Sequence, residues 1–227
     1  MTADTNRIRR AAAEDLPTVR AITRKTIEAV YPHYYPAGAV AFFLAHHNDA
    51  AIAADIAKNR VYLYISDDGQ AVGTVTVKEN DIGRLFVLPA HQGHGYGGAL
   101  LRFAENLIAR QYAEAVLDAS FAAKAIYLRH GWQETGWHLI PCENGDYLCH
   151  DTMKKCVLTQ YQRVTVTTGD YVADGIQRGD SGYITELYAD ACEVEFSRPD
   201  GTTYAQRAIP FAALRPVSET GGEQYDT

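Results

Sequence analysis

Hydrophobic positions along this chain change their period more than once, and each change marks a different kind of element. Leu16, Val19, Ile22, Thr26 and Val30 recur at helical spacing behind Asp15-Leu16-Pro17, where a capping acid and an early proline suit a helix start. A short strand over 8–11 precedes them. The segment Tyr31-Pro32-His33-Tyr34-Tyr35-Pro36 ends that helix, because its two prolines stop propagation. Helical spacing resumes through Val40, Phe43 and Leu44, and after Asp49 through Ile52 and Ile56. From residue 61 the apolar positions gather into short β-type runs, 61–65, 71–77 and 82–88, joined by a hairpin turn at Asp68-Gly69 and a turn near Asn80. Three antiparallel strands thus lead into Gln92-Gly93-His94-Gly95-Tyr96-Gly97-Gly98.

Helical order returns directly after that turn. Ala99, Leu100, Phe103, Ala104, Leu107 and Ile108 repeat at i, i+3, i+4 and bury one face. A strand over 115–117 follows, then a helix capped by Ser120 that stops at Gly131, then a hairpin of 132–140 and 146–157 across Asn144-Gly145. The fold class is α+β, a mixed α/β sheet that is antiparallel at its front. Beyond 158 the helices nearly vanish. Runs at 163–167, 183–188 and 192–196 read as strands, with turns at Gly179-Asp180-Ser181-Gly182 and Asp200-Gly201, which predicts a small β-barrel. The expected organisation is one domain over 1–157, a second over 160–216, and a polar, disordered tail over 218–227.

Composition narrows the partners. A net charge of −7 on 227 residues does not favour nucleic acid and suits a cationic partner such as an amine. No apolar run approaches membrane-spanning length and residues 1–10 hold no apolar signal segment, so a cytoplasmic location and no membrane partner are expected. Cys142, Cys149, Cys156 and Cys192 fit a reducing compartment. Three of them are spaced by seven with His138 and His150 among them, but zinc ligands come in close pairs and none is present, which favours buried thiols over a metal.

The glycine turn carries the chemistry. A strand, a tight turn and a helix start present free backbone N–H groups and the positive end of a helix dipole to one point, which suits a pyrophosphate. Gly93, Gly95 and Gly98 also satisfy the dinucleotide pattern G-x-G-x-x-G, with Asp118 ending the next strand where a ribose-binding acid would sit. Against an NAD(P) site, Pro89-Ala90-His91-Gln92 separates strand from glycines, and only one further helix follows. A Walker loop lacks its Gly-Lys-Ser/Thr.

Gln92, Gly95 and Gly97 match the acyl-CoA signature of the GNAT (Gcn5-related) N-acetyltransferases, which the chain resembles from residue 8 to 157 in element order as well. The run Leu85-Phe86-Val87-Leu88-Pro89 looks like the family's splayed fourth strand. Ala123, Tyr127, Gly131 and Trp132 are similar to its second motif, with Ser120 in place of the usual Asn. The resemblance implies a GNAT acyl-CoA N-acyltransferase fold, acetyl-CoA as co-substrate, no metal, and an amine-bearing small molecule or protein as acceptor. It implies that Gly93, His94, Gly95, Tyr96, Gly97 and Gly98 cradle the pyrophosphate, and that the strand edge at Leu85, Phe86 and Val87 pairs with pantetheine.

The same resemblance places a general acid at Tyr127, which otherwise reads as a packed helix tyrosine. It places the base at Asp81 or its neighbour Glu79, each of which otherwise reads as a solvated turn acid. Arg84, interrupting an apolar strand, is either a structural charge or a partner for an anionic part of the acceptor. The acceptor walls would be the loop 31–36 and the hairpin 141–147, where Tyr31, Tyr34, Tyr35 and Tyr147 either line the cleft for a cation or pack at the surface. His33 and His46-His47 carry no site pattern. Residues 160–216 resemble SH3-like or KOW-like barrels through Arg178-Gly179-Asp180-Ser181-Gly182-Tyr183-Ile184 and Glu193-Val194-Glu195-Phe196. Protein binding, cover for the acceptor cleft, or homodimer formation stay open for that part. A protein that binds acetyl-CoA and acts through its barrel without turnover is the alternative to an enzyme.

Overall fold

The computed structural model describes residues 4–217, and the tail expected to be disordered, 218–227, lies outside them. The chain divides into two compact units, one of residues 1–105 and 116–155, the other of 106–115 and 156–227. The first carries a seven-stranded sheet of β1 (Ile8–Arg10), β2 (Val61–Ile65), β3 (Ala71–Lys78), β4 (Asp81–Val87), β5 (Glu114–Ala119), β6 (Gln133–Pro141) and β7 (Tyr147–Cys156), in the order β1-β2-β3-β4-β5-β7-β6. Its helices are α1 (Leu16–Val30), α2 (Ala37–His46), α3 (Asp49–Ala57), α4 (Tyr96–Ile108) and α5 (Phe121–Arg129).

Strands β1 to β4 form an antiparallel run, β4 and β5 lie parallel, and β6 and β7 form an antiparallel hairpin. A doubly wound parallel sheet, which a dinucleotide site at the glycine turn requires, is not what these pairings build. The mixed sheet agrees with the expected fold class.

Helix α1 forms because its apolar residues keep a helical period, and it buries Val19, Ile22, Thr23, Thr26 and Ile27. These meet Ile52 of α3 and Leu63 and Phe86 of the sheet in one core. A fully buried isoleucine such as Ile22 contributes about 1.5–3 kcal/mol. The start of α1 differs from expectation. Asp15 occupies the cap position but makes no side-chain cap there. Its carboxylate instead accepts the Ala12 N–H at 2.8 Å and a two-pronged pair from Arg9 at 2.6 and 2.7 Å, because a short 3-10 turn over Ala13–Asp15 runs straight into the helix.

The second unit holds a five-stranded sheet of β8 (Arg163–Val166), β9 (Ser181–Leu187), β10 (Ala191–Ser197), β11 (Thr203–Pro210) and β12 (Leu214–Pro216), in the order β11-β10-β9-β8-β12. Alternate residues Cys192, Val194 and Phe196 of β10 point into its core with Val164, Ile184 and Ile209. The expected closed barrel is not formed: β11 and β12 are the two ends of the order, and no ladder joins them among the described residues. A 3-10 turn, Phe211–Ala213, separates them and leads β12 back along β8. Neither β11 nor β12 was marked by the sequence. β11 exposes Gln206, Arg207 and Ala208 in succession, so the alternation that marks a strand is missing.

Candidate active site

Strand β4 sets the geometry. Phe86 pairs with Thr74 and Gly83 with Thr76, so Val75 alone faces Arg84 and Leu85 and the strand bulges there. Arg84 takes φ 48°, a left-handed conformation that disfavours side chains and costs about 1–3 kcal/mol. Its guanidinium is held by Asp55 Oδ2 at 2.9 Å and Thr76 Oγ1 at 2.9 Å, and its side chain is only 7% exposed. The bulge removes backbone groups of β4 from the ladder. The β4–β5 ladder, meanwhile, starts at Asp81↔Val116, and the two strands flank an open cleft further along.

That cleft is part of a cavity of about 770 Å³. Its walls hold Leu85, Phe86 and Val87 of β4, Gln92, Gly93, Gly95, Tyr96, Gly97 and Gly98 of the turn and α4, Ser120 and Tyr127 of α5, and Asp81. The structure thus brings most of the residues singled out in the sequence to one place. At the turn, Gly93 and Gly95 adopt φ 81° and 83°, which glycine alone takes without strain. The Gly95 carbonyl accepts the Ala99 N–H at 3.0 Å, so the N–H groups of Tyr96, Gly97 and Gly98 stand ahead of the helical ladder. A Cβ on Gly97 would meet nothing of the protein closer than Val87 Cγ2 at 3.7 Å. The protein itself therefore leaves room at Gly97, and the space opens into the cavity.

Gln92 works as a brace. Its side-chain amide donates to the Val87 carbonyl at 3.0 Å, tying the turn to the end of β4, and Thr26 Oγ1 of α1 lies 3.1 Å from the same oxygen. His94 is exposed and stacks on Tyr96 at 5.7 Å, which in turn lies 4.6 Å from the Tyr64 ring. His94 is absent from the cavity wall.

Tyr127 is buried in α5 beside Trp132, and burial, with Tyr31 second, raises its pKa above the ordinary phenol value. Asp81 is raised too, first by desolvation and then by Asp118, with Lys78 opposing. Part of the residue stays open to solvent, and Asp118 shares the same wall. Glu79 sits on the exposed turn at φ 57° and does not reach the cavity.

The tyrosines of the 31–36 loop separate. Tyr31 and Tyr35 are buried with Phe43 and Phe86, with Tyr31 on the cavity wall. They also start α5. Tyr35 Oη accepts the Phe121 N–H at 2.8 Å and its ring stacks on Phe121, while Tyr31 hydrogen-bonds the Ser120 side chain. Ser120 was expected to cap α5 and stands at the cap, but its side chain makes no cap bond; the Tyr35 hydroxyl meets the first N–H instead. Tyr34 and Tyr147 are 52% and 57% exposed and away from the cavity.

Several polar wall residues carried no site assignment in the sequence, among them His46, His47, Asp118 as a cleft acid, and His150. His47 packs edge-on against Phe86 at 5.5 Å, and desolvation, with Arg84 and His46, pushes its pKa down to about 3, so it is neutral. His150 Nε2 lies 3.5 Å from Asp118 Oδ1. No local spacing marks these residues, since α2, β5 and β7 bring them together only in the fold. Among the described residues no cluster of three or more His, Cys, Asp or Glu is placed to hold a metal ion. The four cysteines form no disulfide, and no described helix is long and apolar enough to cross a membrane.

Residues 30–156 match the family model described as an acetyltransferase (GNAT) domain. Among solved structures the chain is similar to a GCN5-related N-acetyltransferase from Rhodopseudomonas palustris, at 24% identity and TM-score 0.61 over 69% of this chain and 96% of that one. It is similar to a GNAT superfamily phosphinothricin acetyltransferase from Sinorhizobium meliloti, solved with acetyl-CoA, at 18% identity and TM-score 0.51 over 69% and 89%. The ribosomal-protein-S18-alanine N-acetyltransferase of Escherichia coli gives 18% identity and TM-score 0.50 over 67% and 94%. Likeness at these identities speaks to the fold. No curated protein matches.

Proposed function

The chain belongs to the GNAT acetyltransferase family, and from that premise we propose that it moves an acetyl group from acetyl-CoA directly to the amine of a small molecule or protein. The observation that carries this reading is one cavity that joins the glycine turn, the bulged edge of β4 and Tyr127. In this reading the N–H groups from Gly93 to Gly98 hold the pyrophosphate with the positive end of α4 behind them. The edge of Leu85 to Val87 that faces away from β3 pairs with pantetheine amides and aims a backbone N–H at the thioester carbonyl. Bound acetyl-CoA would supply an activated acyl carbon; the chain supplies position, and of the two protons the ammonium loses one goes to Asp81 and the other to the departing CoA sulfur.

Asp81 takes the proton from the acceptor ammonium, and its raised pKa makes it a stronger base than an ordinary aspartate. Tyr127 faces the departing sulfur. A thiol near pKa 8.5 is a stronger acid than a buried phenol, so Tyr127 keeps its proton and stabilises the thiolate by donating a hydrogen bond. The domain of this activity is residues 1–157. Residues 160–216 act as a small β module that binds a protein or pairs two copies of the chain. Four free cysteines support a cytoplasmic setting.

Release of free thiol from acetyl-CoA against a panel of amines, with Tyr127→Phe as control, tests the proposal. Turnover with at least one amine, slowed by the substitution, is expected. Binding of acetyl-CoA with no turnover on any amine would replace this reading by that of a sensor.

A further inference from the structure

Ladder register puts two carboxylates and an apolar part of the cavity wall on one face of the sheet. Phe86 pairs with Thr74 and shares the core with α1 and α3, so Thr74, and with it Thr76 and Lys78 further along β3, point to the α1 face. Lys78 pairs with Asp81, and Asp81 with Val116, two residues before Asp118. Asp81 and Asp118 therefore stand on the α1 face together. His150 Nε2, 3.5 Å from Asp118 Oδ1, carries the row on to β7. Two residues back along that strand, about 7 Å, Leu148 pairs with Ile140 and enters the α1 core. Val87, paired with Gly73, lies on the opposite face beside Leu100 of α4, at whose start the pyrophosphate is placed.

Beyond the acids the wall turns apolar. Val30 of α1, Phe42 and Phe43 of α2 and Ile140 of β6 all line the cavity, all pack on the core, and all keep part of their surface open. Phe43 is set edge-on against Tyr31 at 4.7 Å, and Phe42 stacks on His46 at 6.2 Å. Open apolar surface on a concave wall is what a bound molecule covers, with a gain that grows with the area removed from water. Nothing on this part of the wall asks for a second charge: Arg84 is already paired with Asp55 and only 7% exposed, and His47 is neutral. The acids at the other end do ask for one. Asp118 acts on Asp81 more strongly than Lys78 opposes it, and an ammonium between the two carboxylates relieves their repulsion.

We propose that the acceptor is a small primary amine with an apolar body, its ammonium between Asp81 and Asp118 and its body, about 7 Å long, against Val30, Phe42, Phe43 and Ile140. A phenyl ring on a two-carbon arm has that reach. This rests on the acetyltransferase reading and narrows it: a second charge at the far end of the acceptor, of either sign, gives up its water against an apolar wall and gains no partner there. A peptide acceptor brings amide groups to the same wall and meets the same penalty. The acids select for the amine, and the apolar wall selects among amines.

The test measures thiol release from acetyl-CoA by the full-length protein with straight-chain primary amines from ethylamine to heptylamine, with phenylethylamine, and with acceptors whose far end is polar: hexamethylenediamine, aminohexanoate and an alanine-led tripeptide. Wild type is expected to gain about fourfold in kcat/KM for each methylene, levelling off once the body reaches about 7 Å, and to favour hexylamine over the diamine and the aminocarboxylate by about a hundredfold. Phe42→Glu sets a carboxylate on the wall and should narrow the gap between hexylamine and the diamine to about tenfold or less, with Kd for acetyl-CoA unchanged. Ile140→Thr, on a separate element, should lower kcat/KM for hexylamine about fivefold and leave ethylamine unchanged, and it decides the matter if Phe42→Glu does not fold. A flat series in wild type, or a best substrate among the polar-ended acceptors, overturns the inference while leaving acetyl transfer standing. So does a length dependence that survives both substitutions. If no amine turns over, the acetyltransferase reading fails; a thermal shift of the CoA-loaded protein that grows from ethylamine to hexylamine still supports the apolar pocket, and no shift by any amine overturns it too.

Discussion

The two ends of the cavity are built from different materials. At the glycine turn the chemistry is backbone: φ 81° and 83° at Gly93 and Gly95, an open helix start, and an unfilled space over Gly97. At the α1 face the chemistry is side chains, Asp81 and Arg84 from β4, Asp118 from β5 and His47 from the end of α2. A backbone site constrains residue type directly, since only glycine takes those angles without strain. A side-chain site constrains only where a residue ends up. The first kind writes itself into local sequence, and the second does not.

The largest effect should come from the side-chain end. Asp81→Asn removes the proposed base and should lower kcat roughly a hundred- to ten-thousandfold with little change in acetyl-CoA affinity, measured by thiol release and titration. In wild type the rate should climb with pH through the raised Asp81 pKa and level off above it. The same shift has a stability sign. A carboxyl that binds its proton more tightly when folded destabilises the fold in full above its folded pKa and not at all below its unfolded one. Asp81→Asn should therefore raise Tm at neutral pH while abolishing most activity, and a fall in Tm would contradict the crowding assigned to Asp81.

Gly97→Leu probes the backbone end alone. Leucine is a good helix former and its Cβ meets no protein atom closely, so Tm without ligand should hold. Acetyl-CoA affinity should fall about a hundredfold, in line with a clash of about 3 kcal/mol. Next in size, Tyr127→Phe should lower kcat roughly ten- to a hundredfold without changing Kd for acetyl-CoA, the loss of one hydrogen bond to a charge.

The smallest effect belongs to a residue outside both ends. Asp15 is held well below the ordinary carboxylate pKa, first by its hydrogen bond from Arg9, and Arg9 is half exposed, so solvent screening limits the pair. Asp15→Asn should cost about 1 kcal/mol by denaturant unfolding and leave kcat and Kd unchanged. That contribution is full above the unfolded carboxylate pKa and disappears as pH falls through the lowered one, so mutant and wild type should converge in stability in acid.

The contrast between the two ends also explains what the sequence discloses. Helix α1, strands β2 to β4 and the turn into α4 are legible because periodicity and glycine act locally. Asp15, at the cap of α1, is drawn off by Arg9 six residues back, and Ser120, at the cap of α5, gives way to Tyr35, which lies eighty-six residues before the Phe121 N–H it accepts. His47 and His150 reach the cavity only through tertiary packing. In the second unit β10 shows clean alternation and is legible, whereas β11 exposes three residues in a row and the short β12 follows a 3-10 turn, so neither leaves a pattern.

Amide hydrogen exchange with and without acetyl-CoA tests the backbone cradle most directly, because it reads the N–H groups the account invokes. The account predicts slowed exchange at residues 93–98 and along 85–87 on adding acetyl-CoA, with no such change on adding NAD. Binding of acetyl-CoA that leaves those amides unprotected, or protects a different surface, would contradict it.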